Sequence, residues 1–572
     1  MWIARLALVA LLLVALLLVA GVALADYVPT HYVTADADGT GDGSESDPWT
    51  LAQAMENAVA GNVVQVAPGV YTGTASTAES NNWVATFAAH NAGTSSNPII
   101  FYAQHPASEI YDDANFATLR SELRNGGSYS GQLQAVLGTR GFHQSLRYVT
   151  YDGFYVNGAD GYSPSPPSRG SILLSTAGEI TLTRLAIDLY HYSGSDNYVG
   201  IFIQPNGEVS QNEIRVFNNL FVGGSNASVN HNGSVITLYY AQNVLIENNE
   251  FRNNNNGVFV KGGGSIGNAG TIRYNHFLSP RIGGVEISNI HASLELDVYQ
   301  NIITDPGEHG IAFDNSDSTL RNANVYNNTV VGENPGSGLL SFDAPSSQSN
   351  TEIYNNLIAA IDTNTQVLAN AYALVSYSGI SQDYNFFYNN GATPGFAFDA
   401  NASISGLSAW QSASGQDANS LVAAPAFVSA GSGDYRLDTG SAALTAGNTG
   451  GPVGAYISGS EIIGLVSDGG DPPVLSNIAP AAGARLALGS SAATLEVDTD
   501  VSATCRFGYR PGIAWGSLTA YGTTGGTEHS HSLAVVTGGV YQICTRCEAS
   551  GEYSADACVS WSVAPDPQEA PW

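Results

Sequence analysis

Between Val199 and Phe387 the chain alternates short apolar and polar runs, and each run ends on an asparagine at a regular interval. IRVFNNLF, VLIENNEF, TIRYNHF, LDVYQNII, ANVYNNTV, TEIYNNLI and SQDYNFF place Asn219, Asn249, Asn275, Asn301, Asn328, Asn356 and Asn385 at spacings of 26 to 30 residues. Three positions before the Asn stands an aliphatic residue in six of the seven copies, with Gln382 the exception, and two positions after it an apolar residue in all seven. Alternation with period two predicts half-buried strands. A fixed interval of this size, filled by short strands, predicts a solenoid. The interval is too long for a hexapeptide repeat and lacks leucine-rich spacing, so it fits one three-stranded turn of a right-handed parallel β-helix. The fold class expected is all-β.

Stacked turns lie about 4.8 Å apart, so the recurring Asn forms a column. An inward Asn at a corner bonds the backbone and its copies above and below, which removes the desolvation penalty of buried polar groups.

A second recurring pattern identifies one strand per turn as a shelf. GIFIQ (200–204), VITLY (235–239), GVFVK (257–261), GVEIS (284–288), GIAFD (310–314) and GLLSFD (338–343) occupy equivalent places. Val258/Val260, Val285/Ile287 and Ile311/Phe313 are expected to point inward, and Phe259/Lys261, Glu286/Ser288 and Ala312/Asp314 outward. The outward column then reads Gln204, Tyr239, Lys261, Ser288, Asp314, Asp343, with Glu286 diagonal to Lys261 and Glu308-His309 leading into the next turn.

The flanks divide the chain into domains. Residues 1–25 carry Arg5, a long apolar run and Ala23-Leu24-Ala25, the pattern of a signal peptide cleaved before Asp26. Residues 26–462 are assigned to the β-helix. Thr50-Leu51-Ala52-Gln53 is a capping box opening a small amphipathic helix that lids the first turn, with Leu51, Ala54, Met55 and Ala58 on one face and Gly61 at its end. Residues 463–472 read as a Gly/Pro/Asp linker, 473–563 as a small β-sandwich and 564–572 as a tail.

All four cysteines fall in the sandwich, and export permits disulfides. Strand phase puts Cys505 with Phe507 and Cys547 with Ile543, both toward the core. It puts Cys544 with Gln542 and Cys558 with Ser560, toward the surface. The expected bonds are an inter-sheet Cys505–Cys547 and a surface cross-strand Cys544–Cys558; the competitor is a zinc site using Cys544 and Cys547.

Composition narrows the partners. A net charge of −31, with Lys261 the only lysine, argues against nucleic acid or an anionic membrane surface, and no membrane insertion is expected once the signal is removed. A secreted or cell-surface monomer is the expected state. An anionic polymer needs a local positive charge or a bridging cation. The loop 36–47 offers Asp36, Asp38, Thr40, Asp42, Ser44 and Asp47 with Gly41 at its sixth place, a spacing that suits calcium.

HYVTADADGTGDGSESDPWTLAQAMENAVAGNVVQVAPGVYTG and NAGTSSNPIIFYAQ resemble the opening of secreted right-handed β-helix proteins of the pectate-lyase-like superfamily. AWQSASGQDANSLVAAPAFVSAGSGDYRLDTGSAALTAG resembles their closing segment, so the likeness spans roughly residues 30–457. ATCRFG, TGGTEHS and YQICTRCEASGEYS resemble fibronectin type III-like modules of bacterial exported proteins. β-Helix lyases of the chondroitinase B and alginate lyase type use a lysine base followed by an arginine. The likeness implies Lys261 as base and Arg281 as the group that quiets the substrate carboxylate; the register adds Glu286, diagonal to Lys261, as a third catalytic candidate. Tyr239, Phe259, His309, Asp314 and Asp343 are the expected substrate contacts. The resulting expectation is a polysaccharide lyase acting by β-elimination on a uronate polymer. The rival is a carbohydrate-binding or adhesion protein using the same shelf, and a glycoside hydrolase stands third.

Overall fold

The structure is a computed structural model. It describes residues 27–564 except 74–82, 114, 126–132, 139–145, 158–170, 175–177, 190–198, 205–212, 226–232, 262–266, 289, 292, 314–318, 333–338, 344–346, 362–366, 373–378, 398–402, 466–474, 482, 500–502, 510–517, 524, 538, 550–551 and 554–556. The signal peptide, most of the linker and the tail lie outside the described residues, as does Asp314. The chain divides into two compact units, Tyr27–Val466 and the one beginning at Ser467.

The first unit is a right-handed parallel β-helix of three 12-stranded sheets. In the turn of Asn249, sheet 1 takes Val244–Glu247, sheet 2 takes Glu250–Arg252 and sheet 3 takes Asn256–Lys261. Each strand pairs in parallel with its counterpart one turn away, for example Val244↔Gly270, Phe251↔Phe277 and Val258↔Val285. The apolar residues two positions after each ladder Asn fill the interior, and Phe221, Phe251 and Phe277 stack at 4.8 and 4.4 Å.

The asparagine column forms as expected, between sheets 1 and 2. Asn275 is typical: its Nδ2 donates to Asn301 Oδ1 at 2.9 Å and back to Ile246 O at 2.9 Å, while its backbone N–H also donates to Asn301 Oδ1. The same bonds link Asn219 to Asn249, Asn249 to Asn275, Asn301 to Asn328, Asn328 to Asn356 and Asn356 to Asn385. At the end Asp417 takes over, accepting from Asn385 Nδ2, Ser420 Oγ and Trp410 Nε1. Asn218, Asn248, Tyr274, Gln300, Asn327, Asn355 and Tyr384, each just before a ladder Asn, all adopt positive φ between 51° and 57°. Asn tolerates that left-handed conformation better than other side chains. This explains the doublet in NNL, NNE, NNT and NNL: the first Asn turns the corner and the second joins the ladder.

Both ends are lidded. The helix Leu51–Asn57 carries the capping box in full, and Leu51, Ala54 and Met55 are buried. At the other end the helix Leu407–Ser414 stacks Trp410 on Phe396 at 5.3 Å.

Sheet 2 strands such as LFV (220–222) and TVVG (329–332) are apolar on both faces, the pattern of a strand covered on both sides. The cover is the chain after the last turn. Val453 and Ala455 pack on Ile302, Val331, Leu357 and Phe386, and Ile463 joins the same cluster. Thr329 Oγ1 accepts from Ala455 N, Asn248 Nδ2 donates to Ile462 O, and Gly464 N donates to Tyr274 O at 2.8 Å. Leu465 then packs near Tyr155, Ala186, Leu220 and Val222. The packed chain therefore runs on to Leu465, three residues beyond the expected boundary, because Ile463 and Leu465 have apolar surface to bury.

The second unit is a two-sheet sandwich. Leu475–Ala479, Ala492–Thr499 and Glu528–Ala534 form one sheet; Arg485–Leu486, Ala557–Val563, Val540–Ala549, Thr504–Gly508 and Thr519–Ala520 form the other. Leu495, Val497, Phe507, Ile543 and Trp561 make its core together with Cys505 and Cys547. Both expected disulfides are present. Cys505–Cys547 is not inter-sheet, however: the two residues face each other on adjacent antiparallel strands of one sheet, Cα atoms 4.1 Å apart. Alternation told which face each thiol takes; strand order decided that the two strands are neighbours. Cys544 pairs with the exposed Cys558 but is itself buried.

Candidate functional site

The outer face of sheet 3 carries the expected columns in the expected register. Tyr239 lies level with Lys261, and Phe259 with Glu286 and then Ala312, so Glu286 is diagonal to Lys261. Val258, Val260, Val285, Ile287, Ile311 and Phe313 all point into the core.

The face is not an open shelf. Phe259 and Glu286 are each 2 % exposed, and Thr237, Ser288, Ala312 and Ser341 are buried as well. These side chains are closed off from solvent. Phe259 offers no ring face to a sugar; instead Lys261 Nζ lies over it, 5.5 Å from the ring centroid. Lys261 and Tyr239 are half-buried and remain reachable at the end of their strands. Tyr239 also contacts the rings of Phe202 and Tyr240. Asp343 ends its strand level with Tyr372.

The polar residues gather at the beginning of the sheet 3 strands, an arrangement that spacing alone did not disclose. Asn256 Nδ2 donates to Glu286 Oε2 at 2.5 Å. Gly283 stands level with Asn256 on one side and His309 on the other, and a Cβ there would overlap the His309 ring. Gly283 thus leaves room for the imidazole, which is buried on the same face as Glu286. Asn256 Oδ1 and Asn254 Oδ1 are buried without a hydrogen-bond partner. The signal in the sequence was the run Asn253–Asn256, too long to be spent on the corner alone.

Arg281 belongs to this end. Its Nε donates to Asn255 Oδ1 and its backbone N–H to Asn254 O. Lys261 is level with Ser288, seven residues along the strand from Arg281, a displacement of about 20 Å at the usual strand rise. The structure therefore does not bring Lys261 and Arg281 together through register. Arg281 follows Lys261 by twenty residues, short of the 27 this turn needs to return to the same level.

The four aspartates of the 36–47 loop are exposed and do not converge. Asp38 Oδ1 accepts from Thr40 N and Oγ1, and Asp42 Oδ1 from Ser44 N; these bonds hold both carboxyls below the usual carboxylate range. Asp47 N–H donates to Ser44 O. Gly41 sits where a Cβ would strike Pro48 O, and Gly43 packs on the Trp49 ring. The spacing is explained by a tight loop folded over Trp49. Among the described residues no group of three or more His, Cys, Asp or Glu is placed to hold a metal ion.

No family model matches the chain, and no curated protein matches it. Among solved structures it is similar to a PL6 family polysaccharide lyase from Pseudopedobacter saltans, with 14% identity over 60% of this chain and 92% of the other and a TM-score of 0.30. It is similar to pectate lyase Pel9A, with 14% identity over 75% and 96% and a TM-score of 0.37. It is also similar to the enzymatically active domain of a tailspike protein of Bacteriophage CBA120, with 10% identity over 76% and 71% and a TM-score of 0.21. Overlays this loose leave the assignment to the sheets themselves, and what those sheets establish is a right-handed parallel β-helix.

Proposed function

We propose that this protein is exported and engages a uronate-containing polysaccharide at the sheet 3 strand ends around Lys261, cleaving it by β-elimination with Lys261 as the base. One observation carries this reading: the chain's only lysine stands half-buried at the end of a sheet 3 strand, its Nζ over Phe259, with the buried Glu286 diagonal to it one turn on. In the reaction, Lys261 takes the proton α to the uronate carboxyl. The electron pair forms a carbon–carbon double bond as the glycosidic C–O bond opposite it breaks, and the departing oxygen takes a proton. Tyr239, level with Lys261, is a proposed sugar contact, as are His309, Asp314 and Asp343. The sandwich serves as an accessory module of fibronectin type III-like kind, its disulfides suited to an oxidising compartment. Among the described residues no helix is long and apolar enough to cross a membrane.

A second reading, binding without cleavage, draws on the same contacts. The Phe259 ring under Nζ holds an ammonium by cation–π attraction, and an ammonium grips a carboxylate but accepts no proton. Arg281, held by Asn255, also lies away from where a neutralising group would serve Lys261.

The deciding experiment incubates the mature protein with uronate polymers, with and without calcium, and follows unsaturated product by ultraviolet absorbance. Lys261→Ala is expected to reduce product formation by about 10²–10⁴-fold, the usual share of a general base, with unchanged thermal unfolding. Wild-type binding with no unsaturated product establishes the second reading instead.

A further inference from the structure

The corner where the Lys261 strand leaves sheet 3 is built around one asparagine. Asn268 is fully buried. Its Nδ2 donates to Lys261 O at 2.7 Å, and its Oδ1 accepts from Ala241 N at 2.8 Å, one turn earlier. Ala241 follows Tyr239 by two residues, and Tyr239 is level with Lys261. The side-chain amide therefore stands in the ladder like a peptide group. It bridges the exits of the two strands that carry the proposed base and the proposed sugar contact.

The backbone alone does not make this bridge. Tyr240 turns the corner at φ 64°, and a chain that bends away no longer presents its own groups to the turn beside it. The other side of Asn268 is closed as well. His291 N donates to Asn268 O at 2.8 Å, and Gly267 lies so near Ile290 and His291 that a Cβ would overlap their backbone. Asn268 is thus held from both neighbouring turns, whereas Lys261 is the last residue of its strand, Asn256–Lys261. A strand end opens locally far more readily than the middle, and a side chain on it moves with the backbone.

We propose that Asn268 is the positioning residue of this site. Its amide fixes the end of the strand, so that Lys261 stays level with Tyr239 and its Nζ stays over the Phe259 ring. This inference rests on the reading of Lys261 as the functional group above and holds whether Lys261 cleaves or only binds.

The test uses the fact that Lys261 is the chain's only lysine. Reductive methylation of the full mature chain with ¹³C-formaldehyde labels its ε-amine and the terminal α-amine, which separate by their titration. In the wild type, the Phe259 ring is expected to shift the Lys261 methyl signal upfield of its position in the denatured chain. Asn268→Leu removes both bonds; Asn268→Ser is too short to keep both and disturbs the corner less. Either is expected to remove at least half of that shift. Asn356→Ser, in the asparagine ladder four turns on, should lower the unfolding temperature and leave the shift in place. Where unsaturated product forms, Asn268→Ser is expected to lower kcat about tenfold, with a smaller change in KM. Retention of the wild-type shift in either folded Asn268 variant, an equal loss in Asn356→Ser, no shift in the wild type, or an unchanged kcat overturns the proposal. Loss confined to the Asn268 variants, with no unsaturated product from the wild type, supports it and removes the elimination reading alone.

Discussion

Two asparagine-rich regions of the β-helix treat buried polarity in opposite ways. At the corner between sheets 1 and 2, the ladder from Asn219 to Asn385 leaves no side-chain oxygen idle: each Oδ1 accepts from the Asn of the preceding turn or, at Asn219, from Leu185 N, and each Nδ2 donates back to a carbonyl. At the start of the sheet 3 strands, the run Asn254–Asn256 is equally buried, yet Asn254 Oδ1 and Asn256 Oδ1 accept nothing, and Asn256 spends its amide on the carboxylate of Glu286. A fully connected polar network rigidifies a core, whereas an incomplete one costs stability. Such local inconsistency concentrates where a protein does something besides fold. The ladder is architecture, and the Asn254–Asn256 corner is the better place to look for function.

Breaking the ladder should have the largest effect. Asn301→Leu strands the N–H and Nδ2 of Asn275 and the carbonyls of Ile272 and Tyr299. With each stranded group costing about 1–3 kcal/mol and partial relaxation by water, a net loss of about 3–5 kcal/mol is expected. Denaturant unfolding of the full chain, followed by tyrosine fluorescence, measures it. Asn256→Leu should cost less, about 1–2 kcal/mol, because it removes an idle acceptor together with a donor to Glu286. Its polysaccharide binding should nonetheless fall at least tenfold. If the two variants prove equally destabilising, or Asn256→Leu binds like wild type, the contrast between the regions is lost.

The smallest effect concerns a third buried polar atom. His276 lies on the outer face of sheet 2 under Gly464, its Nε2 buried without a partner. Burial holds its pKa below the ordinary histidine range; nearby Glu250 opposes that shift and Arg252 adds to it. Because the folded pKa is lowered, the docking of residues 457–465 is at full strength above about pH 6.5 and weakens as the pH falls below it. Hydrogen exchange in that segment, corrected for intrinsic rates, should run about three to five times faster at pH 5 than at pH 7. His276→Gln should abolish the difference. A pH-independent segment in the wild type would show that the imidazole is hydrated after all.

The outer faces of sheets 2 and 3 show why one is available to a ligand and the other is not. Leu220, Ile302, Leu357 and Phe386 face away from the core and are covered by the returning chain, so no polymer reaches them. On sheet 3, Lys261 and Tyr239 remain half-exposed at the strand ends.

Local periodicity by itself determined a large part of this protein. It gave the turn length, the inward Asn column, the direction of Val258 against Phe259, the capping box at Thr50, and which cysteine meets which, since each follows from a two-residue or one-turn repeat. Tertiary structure alone decided that Phe259 and Glu286 are buried, that Arg281 is held by Asn255 at the far end of the strand from Lys261, that Asp38 and Asp42 cap their own turns, and that Cys505 and Cys547 share a sheet. These depend on turn lengths that vary from 26 to 30 residues and on a chain that returns across sheet 2, and no local repeat encodes either.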